Sequence, residues 1–278
     1  MKKLRFTSIV VLAAPALAAI AFAAQQAQPA SAPAQARRTV QAKTQPEFKD
    51  YNKAYAVAGG AAMEKAADDF AAKYPTSELR GYLYAKAMHE YQTENNPGNI
   101  VAMGEKVLSL DPDNSLALVL TATVIADKLS DAGTDREQQI AEIKKNSNHA
   151  LETVDSSFVA REGFKPEEIA AYKNTLRCMA RSALGIMELK THDDAAAEKD
   201  LQTAADLMQP ESPDPYIWYH LALSQDHQEK YAAALVSVTQ ALQHVGSNPD
   251  LAKLAQGERA RLMKLTGANS GTTQKSPQ

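Results

Sequence analysis

Residues 216–245 read YIWYHLALSQDHQEKYAAALVSVTQALQHV, and this stretch decides the fold. In it, Trp218 and Ala222 are followed about one helix later by Ala234 and Ala241. Large and small apolar residues at this spacing predict two paired helices that cross closely. The small side chains let the backbones approach, and the large ones fill the remaining space.

The same pattern recurs upstream, where Gly185 is followed by Ala197 and Ala204, and Pro210 closes the copy. Gly185 and Ala222 occupy the same place in their copies, 37 residues apart. Because the spacing of large and small residues is kept at fixed register, the two copies predict a repeated helix pair rather than a single hairpin.

An earlier copy has Met88 in its first helix and Gly104 in its second, and it ends at the sequence LDPDN, residues 110–114. Pro112 cannot continue the preceding helix and disfavours the helical conformation for the residue before it. Ala122 follows Met88 by 34 residues, so the next first helix is expected over residues 116–129. A weaker pair is expected over residues 47–57 and 61–74.

These copies resemble the tetratricopeptide repeat (TPR), in which helix pairs stack into a superhelix with a concave binding face. The resemblance implies an all-α fold, an α-solenoid of about four to five TPR-like helix pairs with a C-terminal capping helix at residues 250–265. Two positions depart from the family pattern, since Gln225 and Arg181 stand where aromatic residues are usual. The alternative is an alanine-rich helical bundle whose small residues match by chance.

The composition divides the chain into four segments. Residues 1–23 are expected to form a signal peptide, with positive charges at the start, an apolar run and a small-x-small cleavage site at residues 21–23. Residues 24–46 are expected to be a disordered Ala/Gln/Pro linker, and residues 267–278 a disordered tail. Residues 47–266 are long enough for one helical solenoid.

The N-terminal apolar run leaves one alternative open, an uncleaved membrane anchor. Pro15 within the run and the alanine-rich site favour cleavage. Cleavage would remove three positive charges and change the formal net charge of the chain from −3 to −6. The expected compartment is therefore outside the cytoplasm, most simply a bacterial periplasm.

An irregular insertion is expected over about residues 130–165. A second helix should cover residues 138–151, and Pro166 with two following acids predicts the start of a long helix that ends at Lys190. Phe158 and Phe164 are apolar residues in this otherwise polar stretch. They either pin the loop to the solenoid or belong to a partner-specific protrusion.

No motif in the sequence points to catalysis, a cofactor or a metal. Glycine-rich phosphate loops, nucleophile elbows and paired-cysteine or HExxH metal motifs do not occur. The one cysteine, Cys178, is expected to be a small core residue. A mildly acidic chain also argues against general nucleic-acid binding. The chain is thus expected to be non-enzymatic, without cofactors or metal ions.

The TPR resemblance also implies which first-helix residues line the concave groove. The candidate protein-binding residues are Tyr82, Lys86, His89, Thr123, Ile186, Lys190, Tyr219, His220, Leu223 and His227. Aromatic anchors over an apolar floor suit a peptide or helix better than a small charged metabolite. The groove could instead be filled by the closing helix or the tail of the chain itself.

The expected function is that of an exported TPR scaffold or adaptor that binds a protein or peptide partner in the cell envelope. Two alternatives remain open at this point. The chain could be a structural envelope protein that self-associates through its repeat faces, or an accessory domain of an envelope enzyme complex.

Overall fold

A computed structural model describes residues 40–157 and 164–267, and these residues form an all-α solenoid without strands. The predicted signal peptide (1–23), Phe158 and the tail beyond residue 267 lie outside this part of the chain. The helices are α1 (Gln45–Tyr55), α2 (Gly60–Lys73), α3 (Arg80–Thr93), α4 (Pro97–Leu110), α5 (Ser115–Lys128), α6 (Arg136–Ser157), α7 (Pro166–Lys190), α8 (Asp194–Leu207), α9 (Pro215–His227), α10 (Tyr231–His244) and α11 (Pro249–Leu265).

The helices pack in chain order as five pairs and a closing helix. Within the pairs, α3 packs on α4, α5 on α6, α7 on α8 and α9 on α10, while α11 packs on α10. Successive pairs are joined by contacts of α2 with α3, α4 with α5 and α8 with α9, and the first helices α5, α7 and α9 also contact one another in order. The predicted fold class, an α-solenoid with a capping helix, is therefore confirmed.

Three of the turns inside pairs share one backbone geometry. Asn95, His192 and Glu229 each adopt a positive φ, between 53° and 62°, immediately after a first helix. In each turn the next main-chain N–H donates to the carbonyl five residues back, which satisfies a carbonyl that the helix end leaves free. The three bonds run from Asn96 to Tyr91, from Asp193 to Glu188 and from Lys230 to Gln225, each at 2.9 Å.

Glycines mark the closest approaches between helices. A Cβ added to Gly185 of α7 would come within 2.6 Å of the Leu201 Cγ on α8 and within 3.2 Å of the Ala197 carbonyl oxygen. A Cβ added to Gly104 of α4 would meet the Thr121 hydroxyl of α5 at 2.2 Å. Because these distances are shorter than real carbon contacts, the crossings require residues without side chains.

The two positions that depart from the repeat pattern carry polar bridges instead of aromatic rings. Gln225 of α9 is buried and accepts a hydrogen bond from the Ser237 hydroxyl of α10 at 2.7 Å. Arg181 of α7 forms an ion pair with Asp200 of α8 at 2.6 Å. Each pair of helices is thus held by a polar contact where an aromatic side chain would otherwise pack.

The irregular middle is more helical than the sequence indicates. The helix expected over residues 138–151 extends from Arg136 to Ser157. Its polar last turns are held by α7, since Arg177 and Lys173 donate to the carboxylate of Asp155 at 2.7–3.3 Å. Phe164 is 45% exposed, so within the described residues it does not pin the insertion to the solenoid.

The structured part also begins earlier than the boundary expected at residue 46. Val40 and Ala42 pack against the core, and the Lys43 ammonium donates to the Thr76 carbonyl at 2.9 Å. Thr44 caps α1 by accepting from the Glu47 main-chain N–H at 3.2 Å. These contacts fix the chain ahead of its first helix.

The buried apolar residues form three clusters along the solenoid. The first spans α1 to the middle of α7, and the second joins α5, α7 and α8 to the start of α9. The third, between α9, α10 and α11, consists of alanines with Val238 and Leu262. Trp218 packs against both the second and the third cluster and so connects them. No helix within residues 40–157 and 164–267 has the length and hydrophobicity needed to cross a membrane.

The close approach at Gly185 can be tested by adding one methyl group. We expect Gly185→Ala to destabilise the fold, because overpacking costs about 1–3 kcal/mol and exceeds the ~1 kcal/mol that alanine gains over glycine in a helix. Gly257→Ala in α11 is the matched control: its Cβ would meet nothing within 4 Å, so it should stabilise by about 0.5–1 kcal/mol. Urea unfolding followed by circular dichroism measures both, and shifts in the same direction would contradict the packing constraint.

Candidate functional site

The predicted binding residues lie on α3, α5, α7 and α9, the first helices of four successive pairs. We call the surface made by these helices the first-helix face. The structure places the ten predicted residues along this face but at very different depths. Their local contacts show which of these residues are accessible to a partner and which are bound to other parts of the protein.

At the α3 end, Tyr82 is accessible, with 44% of its surface exposed, and His89 is half-buried two turns further on. Lys86 lies between them but is held internally. Its ammonium donates to the Val57 carbonyl at 2.9 Å and to the Glu90 carboxylate at 2.6 Å. Lys86 thus ties α3 to the turn after α1, and Tyr82 and His89 are the residues left facing solvent.

In the middle of the face the predicted residues turn inward. Ile186 is 5% exposed and belongs to the second core cluster. Thr123 is half-buried, and its hydroxyl donates to the Val119 carbonyl one turn earlier, at 2.8 Å. Ile186 therefore contributes packing, and Thr123 presents only part of its side chain to the surface.

Lys190 caps the C-terminal end of the neighbouring helix α5. Its ammonium donates to the carbonyl oxygens of Ala126 and Asp127, at 2.8 and 2.7 Å, in the last turn of α5. A cation at this end of a helix is favourable because the carbonyls there have no partner within the helix. Burial lowers the pKa of Lys190, partly offset by the negative charge of Asp127. Lys190 therefore joins α7 to α5.

His220 and Tyr219 are neighbours on α9, with ring centroids 5.9 Å apart. The Nδ1 atom of His220 is buried and has no hydrogen-bond partner within the described residues. Burial, together with the nearby positive charge of Lys190, lowers the pKa of His220 to about 4, although the Tyr216 carbonyl acts in the opposite direction. Tyr219 is half-buried, and burial followed by the charge of Glu258 on α11 raises its pKa.

The remaining predicted residues lie near the other end of α9. Leu223 is half-buried and packs against the second core cluster. The Nδ1 atom of His227 lies 2.8 Å from a carboxylate oxygen of Asp194, at the start of α8. In the same last turn of α9, Asp226 forms an ion pair with Arg261, which attaches α11 to α9. The closing helix thus borders this end of the face.

Two carboxyl groups that the sequence did not single out complete the centre of the face. Asp127 lies in the last turn of α5 next to Lys190, and burial raises its pKa to about 6, with a further contribution from Asp214. Asp214 caps α9 by accepting from the Tyr216 main-chain N–H at 2.9 Å, and burial raises its pKa too. We call Asp127, Lys190, Asp214 and His220 the central polar cluster.

The one cysteine of the chain lies on α7. Cys178 is buried and donates to the Ala204 carbonyl at 3.3 Å, and burial raises its pKa to about 12. The thiol is therefore protonated at neutral pH and a poor nucleophile. Among residues 40–157 and 164–267, no three His, Cys, Asp or Glu side chains are grouped to hold a metal ion.

Comparison of the chain with known proteins yields no matching family model and no significant match to a curated protein.

The half-buried His220, whose Nδ1 atom is buried, makes a specific prediction about pH. An unfolded chain protonates histidine near the ordinary pKa of 6.5, whereas the folded ring takes its proton only near pH 4. The contribution of His220 to stability is therefore present above about pH 6.5 and lost as the pH falls towards 4. Thermal melts should show a smaller loss of Tm between pH 7.5 and 5 in His220→Gln than in the wild type.

The exposed His244, changed to glutamine, is the control and should keep the wild-type pH slope. Asp127, whose raised pKa acts with the opposite sign between pH 4 and 6, is present in every variant and cancels in the comparison. Equal slopes in all three proteins would contradict the assignment of a buried neutral ring to His220.

Proposed function

We propose that this protein is a non-enzymatic scaffold or adaptor of the TPR type, which binds a segment of a protein partner along its first-helix face. The observation that carries the proposal is the ordered stacking of the first helices α5, α7 and α9, which carry half-buried Tyr219. Accessible Tyr82 and half-buried His89 lie on α3, the first helix of the preceding pair. Aromatic side chains on a rigid helical surface are suited to anchoring a peptide, because they bury large areas at low entropic cost.

The contacts described above divide the face into supporting and contacting residues. Lys86, Ile186 and Lys190 support the face from within, since each is committed to a neighbouring helix or the core. Tyr82, His89, Tyr219 and Leu223 are the candidates for partner contact. A partner segment would also approach the central polar cluster, where main-chain donors and acceptors of an extended peptide could pair with its half-buried polar groups.

The N-terminal segment indicates the compartment in which the protein would work. The sequence of residues 1–23 has the features of a secretory signal, and we propose that the mature protein works in a bacterial periplasm. The chain after the cleavage site would then join the solenoid at Val40, which packs against the core just before the contacts made by Lys43 and Thr44.

A partner on the first-helix face can be trapped by placing a photo-crosslinking phenylalanine at Tyr82. We expect irradiation of cells to give a discrete adduct with the probe at Tyr82 and none with the probe at Gln202, an exposed position on the second helix α8. Circular dichroism verifies that both proteins are helical. Adducts at Gln202 alone, or at neither position, would contradict binding at this face.

Exposed apolar residues on the last helices favour one second candidate, self-association. Leu254 of α11 is 55% exposed, and Val236 of α10 and Leu265 are also exposed. Apolar side chains at the end of a solenoid can pair with a second copy. If this is correct, sedimentation of the wild type will show a concentration-dependent mass that Leu254→Glu abolishes. A monomer at every concentration excludes it, and Lys253→Glu on the same helix is the control.

A further inference from the structure

A hydrogen bond to sulfur closes the connection between α8 and α9. The connection begins at Met208, directly after α8, and ends at Asp214, directly before α9. The main-chain N–H of Asp214 donates to the Met208 Sδ atom at 3.1 Å. The two ends of the connection are therefore held together by a thioether, which is a weak acceptor.

The same bond positions a helix cap. The Asp214 carboxylate accepts from the Tyr216 main-chain N–H at 2.9 Å and so caps the start of α9. Asp214 is also a member of the central polar cluster on the first-helix face. Because the main chain of Asp214 is tied to the Met208 sulfur, a change at this sulfur would reach both the cap and the cluster.

Burial separates Met208 from most other methionines of the chain. Among the methionines that the structure describes, five are at most 5% exposed, namely Met63, Met88, Met103, Met179 and Met187. Met208 and Met263 are half-buried. Susceptibility to oxidation follows exposure, so an oxidant in solution should reach these two first. Met263 lies near the end of α11 and takes no part in the bond to Asp214.

Oxidation changes what the sulfur can accept. Hydrogen peroxide transfers one oxygen atom to a thioether: its O–O bond breaks, an S–O bond forms, the sulfur loses two electrons and water leaves. If the oxygen adds at the lone pair that accepts from Asp214, it displaces the N–H group. If it adds at the other lone pair, the sulfur becomes positively polarised and accepts poorly. In both cases the bond between Met208 and Asp214 is weakened.

We propose that Met208 is a reversible oxidation site that controls the connection between α8 and α9, with hydroperoxides as the class of oxidant. Formation of the sulfoxide releases Asp214 from the sulfur and loosens the cap at the start of α9. It also displaces one member of the central polar cluster. Enzymatic reduction of the sulfoxide restores the contact. The site is a property of the solenoid itself and does not depend on a partner at the first-helix face.

The first test treats the purified protein with hydrogen peroxide and measures the sulfoxide at each methionine by peptide mass spectrometry. We expect Met208 and Met263 to be oxidised before the five buried methionines. The Tm of the oxidised protein should fall by about 2–4 °C, which is the effect expected from losing one helix cap in a domain of this length.

Hydrogen exchange locates the effect within the chain. After oxidation, amide protons in the first turn of α9 should exchange faster. The first turn of α11 is the internal control, because Asn248 caps it by accepting from the Leu251 main-chain N–H at 3.1 Å. Its exchange should not change. Treatment with methionine sulfoxide reductases and dithiothreitol should restore both the Tm and the exchange rates.

Matched variants identify the methionine responsible. Leucine nearly keeps the volume of methionine, so Met208→Leu and Met263→Leu should both fold. Oxidised Met263→Leu should lose Tm as the wild type does, whereas Met208→Leu should keep the Tm of its own unoxidised form. If Met208→Leu is not helical, Met263→Leu still decides the question, since Met208 is then the one half-buried methionine left in the described residues.

Three results would overturn the proposal. They are a Met208 that stays unoxidised while Met263 is converted, a Met208 sulfoxide with unchanged Tm and unchanged exchange in α9, and an equal fall of Tm in oxidised Met208→Leu. The last would place the effect at another methionine.

Discussion

The whole solenoid depends on how closely its helices can approach one another. At Gly104 and Gly185 a single added carbon would overlap the neighbouring helix, and at Ala222 and Ala234 the crossing residues are fully buried. Close approach brings main chains and short side chains into contact over long stretches, so that small residues can still produce dense packing. The positions of these small residues therefore fix the register of each helix on its neighbour, and the register determines which side chains reach each face.

Polar contacts hold the helices together at positions where the repeat is irregular. Gln225 and Arg181 replace aromatic packing by hydrogen bonds and ion pairs to the partner helix. The Lys190 ammonium donates to a free carbonyl group at the C-terminal end of α5. Arg177 and Lys173 of α7 bind Asp155 and so hold the last turns of α6. Arg181, Lys190 and Arg177 are each committed to a contact between helices, so their charges are not free for a partner.

The sequence alone was sufficient to predict most helices, but it was much less informative about which side chains are exposed on the first-helix face. Pro166 and the acids after it predict α7 from Pro166 to Lys190, as observed, because they act through local capping and dipole effects. The end of α6 was missed, since Asp155 and Ser157 are polar and are held by tertiary contacts, Asp155 by Arg177 of α7 and Ser157 by the Ser115 hydroxyl of α5. Register placed Ile186 and Lys190 on the first-helix face, but their depth depends on how α5 packs beside α7.

The division of the core into three clusters has a consequence for folding. In a linear array each repeat is stabilised by its neighbours alone, so the free energy of local opening varies along the chain. The last cluster contains mainly alanines and is connected to the rest through Trp218. The last helices are therefore expected to open and close more often than α3 to α8, with amide protons that exchange sooner. A ligand spanning α7 and α9 would couple these regions and make the array unfold more nearly as one unit.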